Sequence, residues 1–209
     1  MAKRNSRQHA ARPAQPAPRR RPGVFLPVLA LALLLTAVLQ WVNSPLRTAA
    51  APAGIVSYEF AGQVSRAASI LSSWDARARQ FAALSLGLDY LYMLAYGLAI
   101  ALACAWVAGG VLSARGLARS GDFVARASAR RSGLRVLAAL GVALAWGQVA
   151  AVLCDATENV ALLFQLFTTA SHPWPVVATA CATVKFALIA LGLLYALGGA
   201  IAWLVRRGR

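Results

Sequence analysis

The 209-residue chain carries 21 Lys and Arg against 6 Asp and Glu, a formal net charge of +15, and yet 60% of it is hydrophobic. That combination excludes a disordered polyelectrolyte and an ordinary water-soluble globule. The apolar residues gather into four stretches, at 24–42, 82–112, 136–167 and 175–205. Each matches or exceeds the roughly 20 residues that cross a bilayer's hydrocarbon core. The expected fold is an all-α membrane protein, a four-transmembrane-helix bundle with an extracytoplasmic amphipathic helix between helices one and two.

Residues 1–21 form a basic Arg/Pro/Ala tail, read as a disordered cytoplasmic arm. Its Lys3, Arg4, Arg7, Arg12, Arg19, Arg20 and Arg21 lie on the same side of the membrane as Arg115, Arg119, Arg126, Arg130, Arg131 and Arg135 of the 113–135 link and Arg206, Arg207 and Arg209 at the end of the chain. Cytoplasmic segments hold the excess of Lys and Arg, so both termini are expected in the cytoplasm of a bacterial cell, with the protein multi-pass in its inner membrane. Charge placed beside membrane ends meets anionic headgroups. The expected partners are therefore membrane lipids and not nucleic acid.

The first stretch also resembles a secretory signal, with Arg19-Arg20-Arg21 before it and Thr48-Ala49-Ala50-Ala51 as a small-residue cleavage site. Its length exceeds an h-region of about 7–15 residues, and Trp41 is an interface-anchoring residue type. A retained anchor is the reading. Ser44-Pro45 and Ala51-Pro52-Ala53-Gly54 then break the chain and open the 43–81 segment. Within it Val64, Ala67, Ala68, Leu71 and Trp74 follow a helical face. A helix around 61–79 is expected to roof the bundle, with Leu71 and Trp74 as lid residues.

Helices two to four are rich in Gly and Ala, which let transmembrane helices approach closely. Cys104, Cys154 and Cys181 lie inside apolar sequence with no CxxC spacing, and are read as small buried hydrophobes. Ser171-His172-Pro173-Trp174-Pro175 reads as a tight turn and helix start.

Ionisable residues inside these helices are the informative exceptions, because charge at membrane depth is costly unless paired or wet. They are Asp89 in helix two, Asp155 and Glu158 with Asn159 in helix three, and Lys185 in helix four. Counted from Gly110, Arg135 and Arg206, respectively, Asp89, Asp155 and Lys185 lie 21, 20 and 21 residues along their helices. At about 1.5 Å per residue all three share one level. Asp155, Glu158, Asn159 and Leu162 fall on one helical face, extended by Gln148, and Asp89, Tyr92 and Tyr96 fall on another. The expected polar cluster is Asp89, Tyr92, Tyr96, Asp155, Glu158, Asn159 and Lys185. Three acids against one lysine leave a carboxyl protonated, unless Arg66, Arg77 or Arg79 reaches in.

Four uses of such a cluster are open. It serves as a structural clasp, as a binding site for a lipid or small-molecule ligand, as an acid/base pair (Asp155 and Glu158, with Asp89 as a further catalytic candidate) acting on a lipid-borne substrate, or as a small proton- or ion-coupled transporter. No metal is expected, because the His that a carboxylate bundle site supplies at i+3 is missing, and no cofactor is implied. The oligomeric state stays open, a homo-oligomer included.

Tyr58-Glu59-Phe60, Ile70-Leu71-Ser72-Ser73-Trp74, Leu88-Asp89-Tyr90-Leu91-Tyr92 and Asp155-Ala156-Thr157-Glu158-Asn159 resemble the recurring motifs of an uncharacterised family of small four-helix bacterial integral membrane proteins. The resemblance spans about residues 55–165 and implies a fold and a bacterial origin, with no activity attached. The topology is checked by cysteine labelling: residues 113–135 and the N-terminal tail should be reached from the cytoplasmic side and 43–81 from the opposite side. Labelling of the link from outside the cell would overturn the charge argument.

Overall fold

The computed structural model describes residues 23–117 and 124–208. The tail over 1–21 and the middle of the 113–135 link lie outside them. Among the described residues the elements are α1 (Phe25–Val42), a 3-10 turn (Ser44–Leu46), α2 (Ile55–Glu59), α3 (Val64–Ser73), α4 (Ala76–Leu117), α5 (Val124–Phe167) and α6 (Trp174–Arg207). Four segments are long and apolar enough to cross a membrane: Phe25–Val42, Ala76–Val111, Gly133–Phe167 and Trp174–Arg207. They build the four-helix bundle of a multi-pass membrane protein.

Helix boundaries differ from the sequence expectation where capping and propensity decide. α4 begins at Ala76, six residues before the apolar stretch, because the Asp75 side chain accepts the Ala78 N–H at 2.7 Å and caps the first turn. At the other end α4 continues to Leu117, and α5 starts at Val124, so most of the expected basic link is helical. Its sequence is rich in Ala and Arg, both strong helix formers, and holds no proline. α6 opens with Trp174 and carries Pro175 in its first turn, where the missing N–H costs nothing.

α4, α5 and α6 pack on one another, whereas α1 packs mainly on α4 and leaves a groove between itself and α6. Small residues set the tightest crossings. A Cβ on Gly97 would lie 2.6 Å from Val152 Cγ2 on α5, and one on Gly192 would lie 2.7 Å from Ile100 Cγ2 on α4. Dispersion at such close approach is what holds helices together in lipid, where no hydrophobic gain separates them from the surrounding chains.

The 43–75 segment caps one end of the bundle and is not the single helix around 61–79 that periodicity suggested. It forms the 3-10 turn, α2 and α3, and residues 76–79 belong to α4. The buried face of α3 is Ala67, Ile70 and Leu71, continued by Trp74, whereas Val64 and Ala68 are exposed. Helix α2 is held by Asn43 at the end of α1. Its Oδ1 accepts the Ile55 N–H at 2.8 Å, its Nδ2 donates to Ala53 O at 3.2 Å, and a Cβ on Gly54, at φ 65°, would collide with the same side chain. Tyr58 OH donates to Leu162 O at 3.2 Å, Thr179 Oγ1 to Glu59 O at 2.9 Å and Trp74 Nε1 to Leu46 O at 2.9 Å. Leu46, Tyr58, Ile70, Leu71 and Trp74 thereby close over Leu162, Leu166 and Ala178, the apolar far ends of α5 and α6.

Because Ile70 is fully buried there, Ile70→Ala should cost about 2–5 kcal/mol of unfolding free energy in detergent. Exposed Ser69→Ala should stay within about 0.5 kcal/mol, so equal losses would show that the cap contributes nothing to the bundle.

Candidate functional site

Lys185 carries the only amine among the described residues that lies between acidic side chains, and it points from α6 into the bundle with 5% of its surface exposed. A bare ammonium at that depth would be untenable, so its surroundings must be acidic. Its Nζ lies 2.7 Å from Asp155 Oδ1, 3.0 Å from Glu158 Oε2 and 3.7 Å from Glu59 Oε2. The contact with Asp155 is an aligned hydrogen bond, while the contacts with Glu158 and Glu59 are ion pairs without that alignment.

The second oxygen of Asp155 accepts the Tyr96 hydroxyl at 2.7 Å, and Asn159 Nδ2 donates to Asp89 Oδ2 at 2.7 Å. Tyr92 packs edge-on to Tyr96 with ring centroids 5.1 Å apart, and its oxygen accepts Thr36 Oγ1 of α1 at 3.2 Å. α4, α5 and α6 thus link Tyr96, Asp155, Lys185 and Glu158 in one chain of contacts and Asp89 with Asn159 beside it, with Tyr92 packed on Tyr96. Gln148 lies deeper, 2% exposed, and its Nε2 donates to Leu188 O at 3.1 Å.

Glu59 is the member that hydropathy and helical spacing did not select. It belongs to α2, outside the apolar stretches, so the depth argument could not reach it. The available signal was the Tyr58-Glu59-Phe60 string: Tyr58 and Glu59 are both buried, and Phe60 stacks on Phe186 beside Lys185 with centroids 5.7 Å apart. None of the three arginines considered as counter-ions pairs with the cluster, and Arg66 is exposed on α3. Arg79 donates to Leu71 O at 2.8 Å and to Trp74 O at 3.3 Å, and Arg77 lies over Phe81. Leu71 and Trp74 are buried in the cap's apolar core. The roof of the cluster itself is α2, through Ile55, Val56 and Glu59.

The cluster forms one wall of a cavity of about 430 Å³ bounded by α1, α2, α4, α5 and α6. Glu59, Asp89, Tyr92, Tyr96, Asp155, Asn159 and Lys185 line it, together with Thr36 and Ser85. Through Leu29, Ala99, Ile100 and Leu193 it adjoins a second cavity of about 770 Å³, lined by α1, α4 and α6 residues such as Phe25, Ala103, Trp106 and Ala196. Together they form a groove that is polar at the capped end and apolar along the rest. At its mouth Leu33 and Leu193 are 62% and 44% exposed.

Among the described residues no group of His, Cys, Asp and Glu has the arrangement to hold a metal ion. In comparisons with protein-family models, curated proteins and solved structures, none matches this chain.

Burial pushes the pKa of Glu59 above its ordinary value, against the opposing pull of Lys185, with the charge of Asp155 adding to the rise. A carboxyl raised in the folded state contributes stability that is complete below its unfolded value and is lost as pH climbs through its folded value. Glu59→Gln mimics the protonated form. Thermal unfolding of the solubilised protein should show the variant more stable than its parent at about pH 8 and equal to it at about pH 4. A variant less stable at the higher pH would show that Glu59 is held there as an ionised partner of Lys185.

Proposed function

We propose that the chain is a multi-pass protein of a bacterial inner membrane, with both termini in the cytoplasm, that binds a membrane lipid in the groove between α1 and α6. The observation that carries this reading is the continuity of one buried polar wall with a long apolar trough, both opening between two helices that do not pack together. A lipid has that polarity along its length. Ligand sites commonly take this form, an apolar cavity of roughly 300–1,000 Å³ with a few convergent polar groups. In a membrane the open side of the groove faces acyl chains, so a ligand reaches it without leaving the bilayer. The basic residues beside the membrane ends support the orientation, with Arg207 stacked on Trp203 at 3.9 Å as an interfacial anchor.

The same geometry weighs against acid–base chemistry at Asp155 and Glu158. Glu158 does not line the cavity, and both oxygens of Asp155 are committed to Lys185 and Tyr96. It lends less support to transport, because toward the basic end the interface is filled mainly by apolar side chains, Ala32, Ile100, Cys104 and Leu144, and the Nε2 of the buried Gln148 among them is bonded to Leu188 O. The clasp stays part of the reading: Lys185 joins α2, α5 and α6 and so holds the wall in place.

Native mass spectrometry of the detergent-solubilised protein tests the proposal. Wild type should retain lipid, and Ala103→Phe with Ala196→Phe, which fill the apolar trough, should lose most of it while unfolding at the parental temperature. Retention unchanged in the filled variant would overturn the groove as the site.

A further inference from the structure

We propose that the groove selects an amphiphile whose headgroup donates hydrogen bonds and carries no negative charge, with Asp89 and Glu59 as the residues that read it. This rests on the lipid-binding reading above and adds the chemical class of the ligand. Anionic headgroups are excluded by the same wall.

The argument is a census of what the cavity offers. Lys185 is the one cation among the described residues that line it, and three carboxylates surround its ammonium. No positive charge is left for a phosphate or carboxylate. The spare capacity is for accepting. Asp89 is half-buried on the wall and commits one oxygen to Asn159. Glu59, 8% exposed, lines the cavity, and its Oε2, 3.7 Å from the Lys185 ammonium, accepts no hydrogen bond. A buried acceptor without a donor is a standing cost that a bound hydroxyl or ammonium removes. An anion at the same place would meet like charge at close range, which discriminates strongly in a site of low dielectric.

The position of the two acids fixes the pose. Both lie at the capped end of the groove, while the 770 Å³ trough toward the basic end is lined by side chains such as Phe25, Leu102, Trp106 and Leu197. The head therefore sits under α2 with the chain lying along α4 toward the open end of α1. Because α2 supplies Glu59 to both Lys185 and the ligand, headgroup binding and closure of the cap are linked.

The test uses the full-length protein in nanodiscs and four probes with one oleoyl chain: monoolein, oleylamine, oleate and oleoyl lysophosphatidic acid. Binding to wild type is measured by competition against a fluorescent fatty alcohol at pH 7.5. Monoolein, oleylamine or both should bind at least about tenfold more tightly than either anion. The balance between the two tells a hydroxyl head from an ammonium. Asp89→Asn should cut oleylamine binding by about tenfold and leave monoolein nearly unchanged, since an amide still accepts from a hydroxyl but carries no charge. Equal binding of all four probes, or preference for an anion, overturns the headgroup assignment while leaving the lipid site intact. Binding of none, together with no lipid on the purified protein, overturns the lipid site as well. If Asp89→Asn fails to fold, the wild-type ranking of the four probes decides alone.

Discussion

Everything at the capped end of this bundle depends on one ammonium group. Lys185 brings a charge into a region where an unpaired charge would cost several kcal/mol, and four of the chain's six acidic residues gather around it or beside it: Glu59, Asp89, Asp155 and Glu158. Those residues come from α2, α4 and α5, while the lysine comes from α6. The ion cluster therefore fixes the relative height of three long helices and the seat of the cap. Buried ion pairs add little net stability but penalise misregister severely, because a slip of one turn leaves a charge without its partner. The clasp is best understood as a specifier of register.

The apolar layers on either side do the complementary work. Toward the cap, Leu46, Tyr58, Ile70, Trp74, Leu162 and Leu166 exclude lipid from the helix ends, and toward the basic end Ile100, Cys104 and Leu144 fill the interface. Gly97 and Gly192 let the backbones close to a distance at which Asp155, Tyr96 and Lys185 can meet. With larger residues at those crossings the polar atoms would be held too far apart for hydrogen bonds, so packing and electrostatics are one design at this level.

α1 stands apart from that design. It packs mainly on α4, and Leu31 and Leu34 on it are exposed. A fourth helix packed equally tightly would have sealed the cluster inside. Its position instead leaves the polar wall in contact with the apolar trough, and the functional reading grows from that separation.

The four spans were legible in the sequence, and so was the choice of Asp89, Asp155 and Lys185 as the polar exceptions within them. Hydropathy, helical rise and the 3.6-residue period are properties of local sequence that no tertiary contact needs to supply. The resemblance of the four short motifs pointed to residues that the structure makes buried or cavity-lining, Glu59 among them, though it carried no activity. Other features were beyond any local rule. The breakup of the 43–75 segment depends on Asn43 reaching across to Ile55 and on Trp74 finding Leu46 O. Glu59 becomes a partner of Lys185 only because α2 folds down onto α6, a contact between residues 126 positions apart. The groove between α1 and α6 exists because of which helix pairs pack, and pairing is a choice among whole surfaces. Composition and periodicity determined which segments are long and apolar enough to span a membrane; the tertiary structure alone decided what the polar cluster encloses and where it opens, since burial of one charge is settled by every element that can reach it.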